Sequence, residues 1–247
     1  MGIIVAIGGG ELKDLETLPI DRHIVKLTGK DRSRALFIPT ASGDPPDYYE
    51  TFQRVYGGEL GCETDVLYLL QNNVPSAILA QKIEAADLVY VGGGNTLKMM
   101  RRWRHLGVDA LLAAALKRGV VLSGLSAGAI CWFAFGHSDS MMFYDETAAY
   151  IRVRGLGLVD AIFCPHLDEG DRRDNFTVFM GKYPQMGIGV ENCCALEISP
   201  QGFRILTARD GAGAYQIYRR RGMMITRPVE QVAEYRPLAL LLQKQGA

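Results

Sequence analysis

The chain has 247 residues, 48% hydrophobic and 22% charged, a balance that excludes a mainly disordered polymer and leaves room for a sizeable core. Lys plus Arg and Asp plus Glu each total 27, so no bulk field draws the molecule to nucleic acid or to an anionic membrane, and only local charge can select a ligand. The five cysteines are odd in number and lack a CxxC spacing, which fits reduced thiols better than a disulfide framework.

Taken in chain order, the apolar start Met1 to Ala6 carries no basic leader, and Ile3–Ile7 reads as a strand that stops at Gly8-Gly9-Gly10. Ala35–Ile38 stops in the same way at Pro39-Thr40-Ala41-Ser42-Gly43, and helical spacing follows over 48–60 and 76–86. Leu88–Val91 ends at Gly92-Gly93-Gly94, ahead of two further helical stretches, 96–105 and 108–118. Val120–Leu122 ends at Ser123-Gly124, and a helical run 129–133 follows. The strand Ala161–Cys164, a helix over 171–183 and the apolar run Met186–Val190 come next. Then 195–198 and 203–206 read as a hairpin, with 214–218 as a last strand.

These apolar runs are continuous rather than alternating, as in strands covered on both faces. The pattern predicts an α/β fold: a three-layer sandwich with a mainly parallel, doubly wound sheet, an antiparallel C-terminal extension, and one domain over 1–247. No apolar stretch reaches the roughly 20 residues of a membrane span, so a cytoplasmic protein without a membrane partner is expected.

Gly124-Leu125-Ser126-Ala127-Gly128 is a G-x-S-x-G elbow between a strand and a helix, the context in which a serine hydroxyl is lifted into reach of a substrate. A serine needs a base, and His166, directly after Cys164-Pro165 at a strand end, is favoured over His137 in the segment after the elbow. The orienting acid is less decided: Glu191 is preferred, Asp139 is the alternative, and Asp168 is a third choice. The oxyanion hole is assigned to the Ala127 amide and to Gly93 and Gly94, with Asn95 beside them. A phosphate cradle is the rival use of the glycine loops. It fails on detail, since Lys13 stands where the fingerprint after Gly8-Gly9-Gly10 needs glycine, and no Walker motif is present.

Together, the elbow at Ser126, Gly92-Gly93-Gly94-Asn95, Ile38-Pro39-Thr40-Ala41-Ser42 and the strand ending Cys164-Pro165-His166 resemble the peptidase E family of serine peptidases. The resemblance runs from the first strand to about Leu196. It implies the class I glutamine amidotransferase-like fold and an intracellular exopeptidase that removes N-terminal aspartate from dipeptides, with no metal or cofactor. Ser126 would be the nucleophile, His166 the base, and Gly93, Gly94 and Ala127 would surround the oxyanion. The later strand that carries a glutamate in some relatives looks like 187–192, where a one-residue shift of register puts Asn192 in place of Glu191. An aspartyl side chain needs a buried cation, for which Arg172 and Arg173 are the candidates. The expected partner is a small peptide, and a homodimer is left open. The rival readings are an isoaspartyl or cyanophycin-type hydrolase on the same scaffold and a non-enzymic nucleotide or metabolite binder.

Overall fold

The computed structural model of the chain describes residues 2–70 and 74–244. The first half contains β1 (Ile4–Ile7), α1 (Leu18–Lys26), β2 (Arg34–Ile38), α2 (Pro46–Phe52), β3 (Glu63–Val66), α3 (Ser76–Ala85), β4 (Leu88–Val91), α4 (Thr96–Leu106) and α5 (Val108–Arg118). There follow β5 (Val121–Leu125), α6 (Ala127–Ile130), β6 (Phe133–Ser138), β7 (Ile151–Arg154), β8 (Val159–Cys164), α7 (Arg172–Met180) and β9 (Gly187–Val190). The last elements are β10 (Cys194–Ser199), β11 (Gly202–Thr207), β12 (Ala214–Arg220), β13 (Met223–Pro228) and α8 (Ala239–Leu242). A π-helical turn, Gln53–Glu59, prolongs α2.

The strands form two sheets. The seven-stranded one has the order β11-β10-β1-β5-β4-β2-β3 and is parallel from β1 to β3, with β10 antiparallel to β1 and β11 antiparallel to β10. The six-stranded one has the order β13-β12-β9-β8-β6-β7, with a parallel centre β9-β8-β6. Register pairs Ile7 with Leu125, Gly124 with Val91, and Val91 with Ile38, so the glycine-rich carboxyl ends of β1, β5, β4 and β2 meet at one edge.

Both faces of the larger sheet are covered, which accounts for the unbroken apolar runs. Val5, Ile7, Phe37 and Tyr90 face Ile20 and Ile24 of α1 and the aromatic rings of Phe52 and Tyr56. Ala6, Leu36, Val89 and Leu122 face Leu79, Met99, Trp103 and Leu112 of α3 to α5, in a core that also takes Phe133, Phe163 and Ile188 from the second sheet. Ile162 and Cys164, on the other face of that second sheet, pack against Phe176 and Met180 of α7. All five cysteines are buried and unpaired. No helix among the described residues is long and apolar enough to cross a membrane.

The doubly wound α/β architecture is as the sequence predicts, with two corrections. The helix after the elbow ends at Ile130, and the aromatic run Phe133–Ser138 becomes a strand, because β-branched and aromatic residues fit a pleated surface better than a helix. One mainly parallel sheet is expected and two are found, the second built round the parallel strands β9, β8 and β6.

Candidate active site

Ser126 joins β5 to α6 at φ 55° and ψ −115°, a conformation that side chains rarely adopt and that costs about 1–3 kcal/mol. The two flanking glycines let the turn close on β4: a Cβ at Gly124 or Gly128 would fall 2.5 or 2.1 Å from the Val91 carbonyl oxygen. The hydroxyl is thereby presented where the strands end.

His166 lies two residues beyond β8 and is also strained, at φ 137°. Its Nε2 is 2.7 Å from Ser126 Oγ, and its Nδ1 is 2.9 Å from Asn192 Oδ1. An amide oxygen only accepts, so Nδ1 carries the proton and Nε2 offers its lone pair to the serine O–H. The Asn192 amide nitrogen in turn donates to Glu169 Oε1 at 2.6 Å, and that oxygen is 3.6 Å from His166 Nδ1. The contact with His166, opposed by partial burial and aided by the Asn192 amide, holds the Glu169 carboxyl down at about 2. It is therefore ionised at neutral pH. Asn192 is fixed through its backbone as well: its N–H donates to Asp168, and Arg209 reaches both the Asp168 carboxylate and the Asn192 carbonyl.

The structure does not bring the expected acids to this histidine. Glu191 is turned elsewhere, where the chain leaves β9 for a turn closed by the Cys194 N–H on the Glu191 carbonyl; its carboxylate pairs with Arg173 and accepts the Gly213 N–H at 2.8 Å. Asp139 sits 3.4 Å from Arg172. Asp168 serves the Asn192 backbone. His137 is buried, bonded to Asn175 and stacked on Tyr150, and burial reinforced by the Arg172 charge pushes its imidazole down to about 3.

The assigned substrate-binding residues also lie elsewhere. Arg172 is buried under the Tyr150 ring and Arg173 lies over Tyr215, each committed to its carboxylate. Asn95 is a buried helix cap: its Oδ1 accepts the Lys98 N–H and its Nδ2 donates to the Ser140 carbonyl. None of the three lines the cavity at Ser126.

That cavity, about 680 Å³, is bounded by Ser126, His166, Asn192, Leu125, Gly93 and Gly94 at its floor. Glu11, Lys13, Glu16, Asp47, Tyr48 and Glu169 form much of its wall. Ala127 opens α6 directly after the serine, and the Gly93 N–H is directed to the Tyr48 hydroxyl, 3.4 Å away. Two residues that sequence reasoning missed hold the histidine. Glu169 is three positions after it, within a turn closed by the Glu169 N–H on the His166 carbonyl. Gly9 lies beneath the His166–Asn192 pair, where a Cβ would fall 2.0 Å from Asn192 Oδ1 and 2.3 Å from His166 Nδ1. The signal for Gly9 was its triple-glycine run, whose purpose here is close approach to side chains. Among the described residues, no group of three or more His, Cys, Asp or Glu is placed to hold a metal ion.

The sequence model of Peptidase family S51 matches residues 4–206. The chain is 35% identical over 218 residues to the uncharacterized peptidase YgaJ of Bacillus subtilis, covering 87% of this chain and 91% of that one. A 47-residue stretch is 47% identical to peptidase E of Salmonella gallinarum, covering 19% and 20% of the two chains. In three dimensions the chain is similar to a peptidase from an acI-B1 actinobacterium, with a TM-score of 0.73, 17% identity, and coverage of 95% and 96%.

Proposed function

The chain belongs to peptidase family S51, and we propose that it is a serine peptidase that cleaves small peptides through Ser126, His166 and Asn192, with Glu169 behind Asn192. The observation that carries this reading is the unbroken line of contacts from Ser126 Oγ to His166 Nε2, and from His166 Nδ1 through Asn192 to Glu169. Each donor along it faces an acceptor, and the line starts at a hydroxyl that opens into a cavity of the size that holds a small ligand.

In this mechanism His166 Nε2 takes the serine proton as Oγ attacks the peptide carbonyl. Asn192 keeps the proton on Nδ1 and the ring in plane, and the ionised Glu169 beside Nδ1 favours the imidazolium that forms. The oxyanion meets the Ala127 amide at the start of α6. His166 then gives its proton to the leaving amine and activates the water that releases the acyl group. A neutral amide in the third position orients the ring but supplies no charge, and Glu169 compensates at one remove.

The free α-ammonium of a short peptide is the group that Glu11, Glu16, Asp47 and Glu169 would attract, which supports an exopeptidase. The test is a panel of aspartyl, isoaspartyl, neutral and basic dipeptides, run on the native protein beside Ser126→Ala, with fluorophosphonate labelling in parallel. Release of amino acids that is lost in Ser126→Ala supports the proposal. An unlabelled Ser126 together with nucleotide-dependent thermal stabilisation favours the binding-protein alternative.

A further inference from the structure

We propose that Tyr48 is a further catalytic residue of this site, its phenolic hydroxyl donating a hydrogen bond to the oxyanion formed when Ser126 attacks a carbonyl; this rests on the serine-peptidase reading above. The first support is position. Tyr48 lines the same cavity as Ser126 and His166, and its oxygen accepts the N–H of Gly93. Gly93 is itself against the nucleophile, since a Cβ there would lie 3.4 Å from Ser126 Cβ.

The second support is the direction of the hydrogen bond. The Gly93 N–H, expected from the sequence to meet the substrate oxygen, is already given to the phenol. The phenol oxygen accepts in that bond, so its own proton remains to be donated. Among the described residues no protein acceptor takes that proton. A hydroxyl that accepts one hydrogen bond is a better donor of the next, so Gly93 acts on the oxyanion through Tyr48. Burial pushes the Tyr48 hydroxyl up to about 12, and the proton stays in place over the working range of a serine peptidase.

The third support is rigidity. The ring meets Phe37 edge-on at 4.9 Å and lies on Gly92, where a Cβ would fall 2.7 Å from its Cε1. Phe37 also stacks on Phe52 of the same helix at 4.7 Å, which ties α2 to the sheet. A donor held in place before the reaction costs no reorganisation as charge develops.

The step balances without a proton leaving Tyr48. The Oγ–C bond forms, the carbonyl π pair moves to oxygen, and the serine proton goes to His166 Nε2. The oxyanion is held by the Tyr48 O–H and the Ala127 N–H until the C–N bond breaks and His166 protonates the amine.

The experiment compares native protein, Tyr48→Phe and Ser126→Ala. The readouts are the rate of fluorophosphonate labelling, whose phosphoryl oxygen enters the oxyanion site, and kcat and KM on whichever dipeptide of the panel is cleaved. Phenylalanine keeps the ring packing, so the thermal midpoint should be unchanged. The expected result is a fall on the order of 100-fold in kcat and in labelling rate, with KM little altered. Unchanged labelling and kcat, or a loss confined to KM, overturns the role of Tyr48 and leaves Ser126 intact. Failure of native Ser126 to label or to cleave any dipeptide overturns both readings.

Discussion

His166 is held from both sides of its ring, and each contact can be removed alone. Asn192→Ala takes away the acceptor that keeps the proton on Nδ1; kcat should fall on the order of 10²–10⁴-fold, the range over which a positioned acid–base matters, with the protein still folded by circular dichroism. Glu169→Gln is the subtler variant, because glutamine keeps an oxygen for the Asn192 amide and removes only the charge. A carboxylate held at about 2 is negative wherever the enzyme works, and it favours the protonated imidazole. Its loss should lower kcat by a smaller factor than Asn192→Ala. An unchanged kcat would show that Glu169 only braces Asn192. Gly9→Ala tests the floor of the site: its methyl would meet Asn192 Oδ1 and His166 Nδ1 at about 2 Å, and a displacement of that kind should cost on the order of 100-fold in kcat/KM.

At the scale of elements, legibility follows burial. The strands β1, β2, β4, β5 and β8 can be read because sheets covered on both faces demand continuous apolar runs, and glycine marks their ends. The edge strand β3, Glu63-Thr64-Asp65-Val66, has no such run, and Phe133–Ser138 is ambiguous because a short apolar segment after a helix fits either period. The strand-end positions of Ser126 and His166 are legible for the same reason as the strands, since each follows the carboxyl end of a parallel strand, β5 of the first sheet and β8 of the second. The choice between Glu191 and Asn192 is not, because the two stand where β9 gives way to a turn, and neither apolar pattern nor charge says which of them that turn aims at the histidine. Helix α1 carries a polar group that no periodicity reveals. Asp21 is fully buried, accepting from Thr17 and Tyr56, and burial raises its carboxyl from the ordinary 3.8 to about 6 against those two hydrogen bonds. Folding therefore favours the protonated acid: this contribution is complete below about pH 4 and is lost as pH rises through about 6. The loss is on the order of 2–3 kcal/mol. Thermal midpoints of native protein and Asp21→Asn between pH 4 and 8 should diverge, the native falling over that window and the variant lacking this component. Parallel curves would place Asp21 in a more polar setting than its burial indicates.

For the whole molecule, 27 cationic and 27 anionic side chains cancel, so long-range attraction contributes little and selection by charge must arise within the cavity. There the balance is uneven. Glu11, Glu16, Asp47 and Glu169 face one lysine, Lys13, which is itself 3.8 Å from Glu11. The arginines that an aspartyl side chain would need are bound to Asp139 and Glu191 outside the cavity. A second negative charge on the substrate would therefore meet repulsion, and a second positive charge attraction. The wall carboxylates are exposed, so each contributes at most about 1 kcal/mol, and several acting on one substrate charge give roughly a tenfold effect. Dipeptides with N-terminal lysine should thus exceed aspartyl ones of the same second residue in kcat/KM at low ionic strength. The gap should close as salt shortens the Debye length from about 30 Å at 0.01 M to about 3 Å at 1 M. Charge-neutralising Glu16→Gln with Asp47→Asn should close it without salt. A preference for aspartate that survives both changes would mean that Lys13, or a rearranged arginine, outweighs four carboxylates.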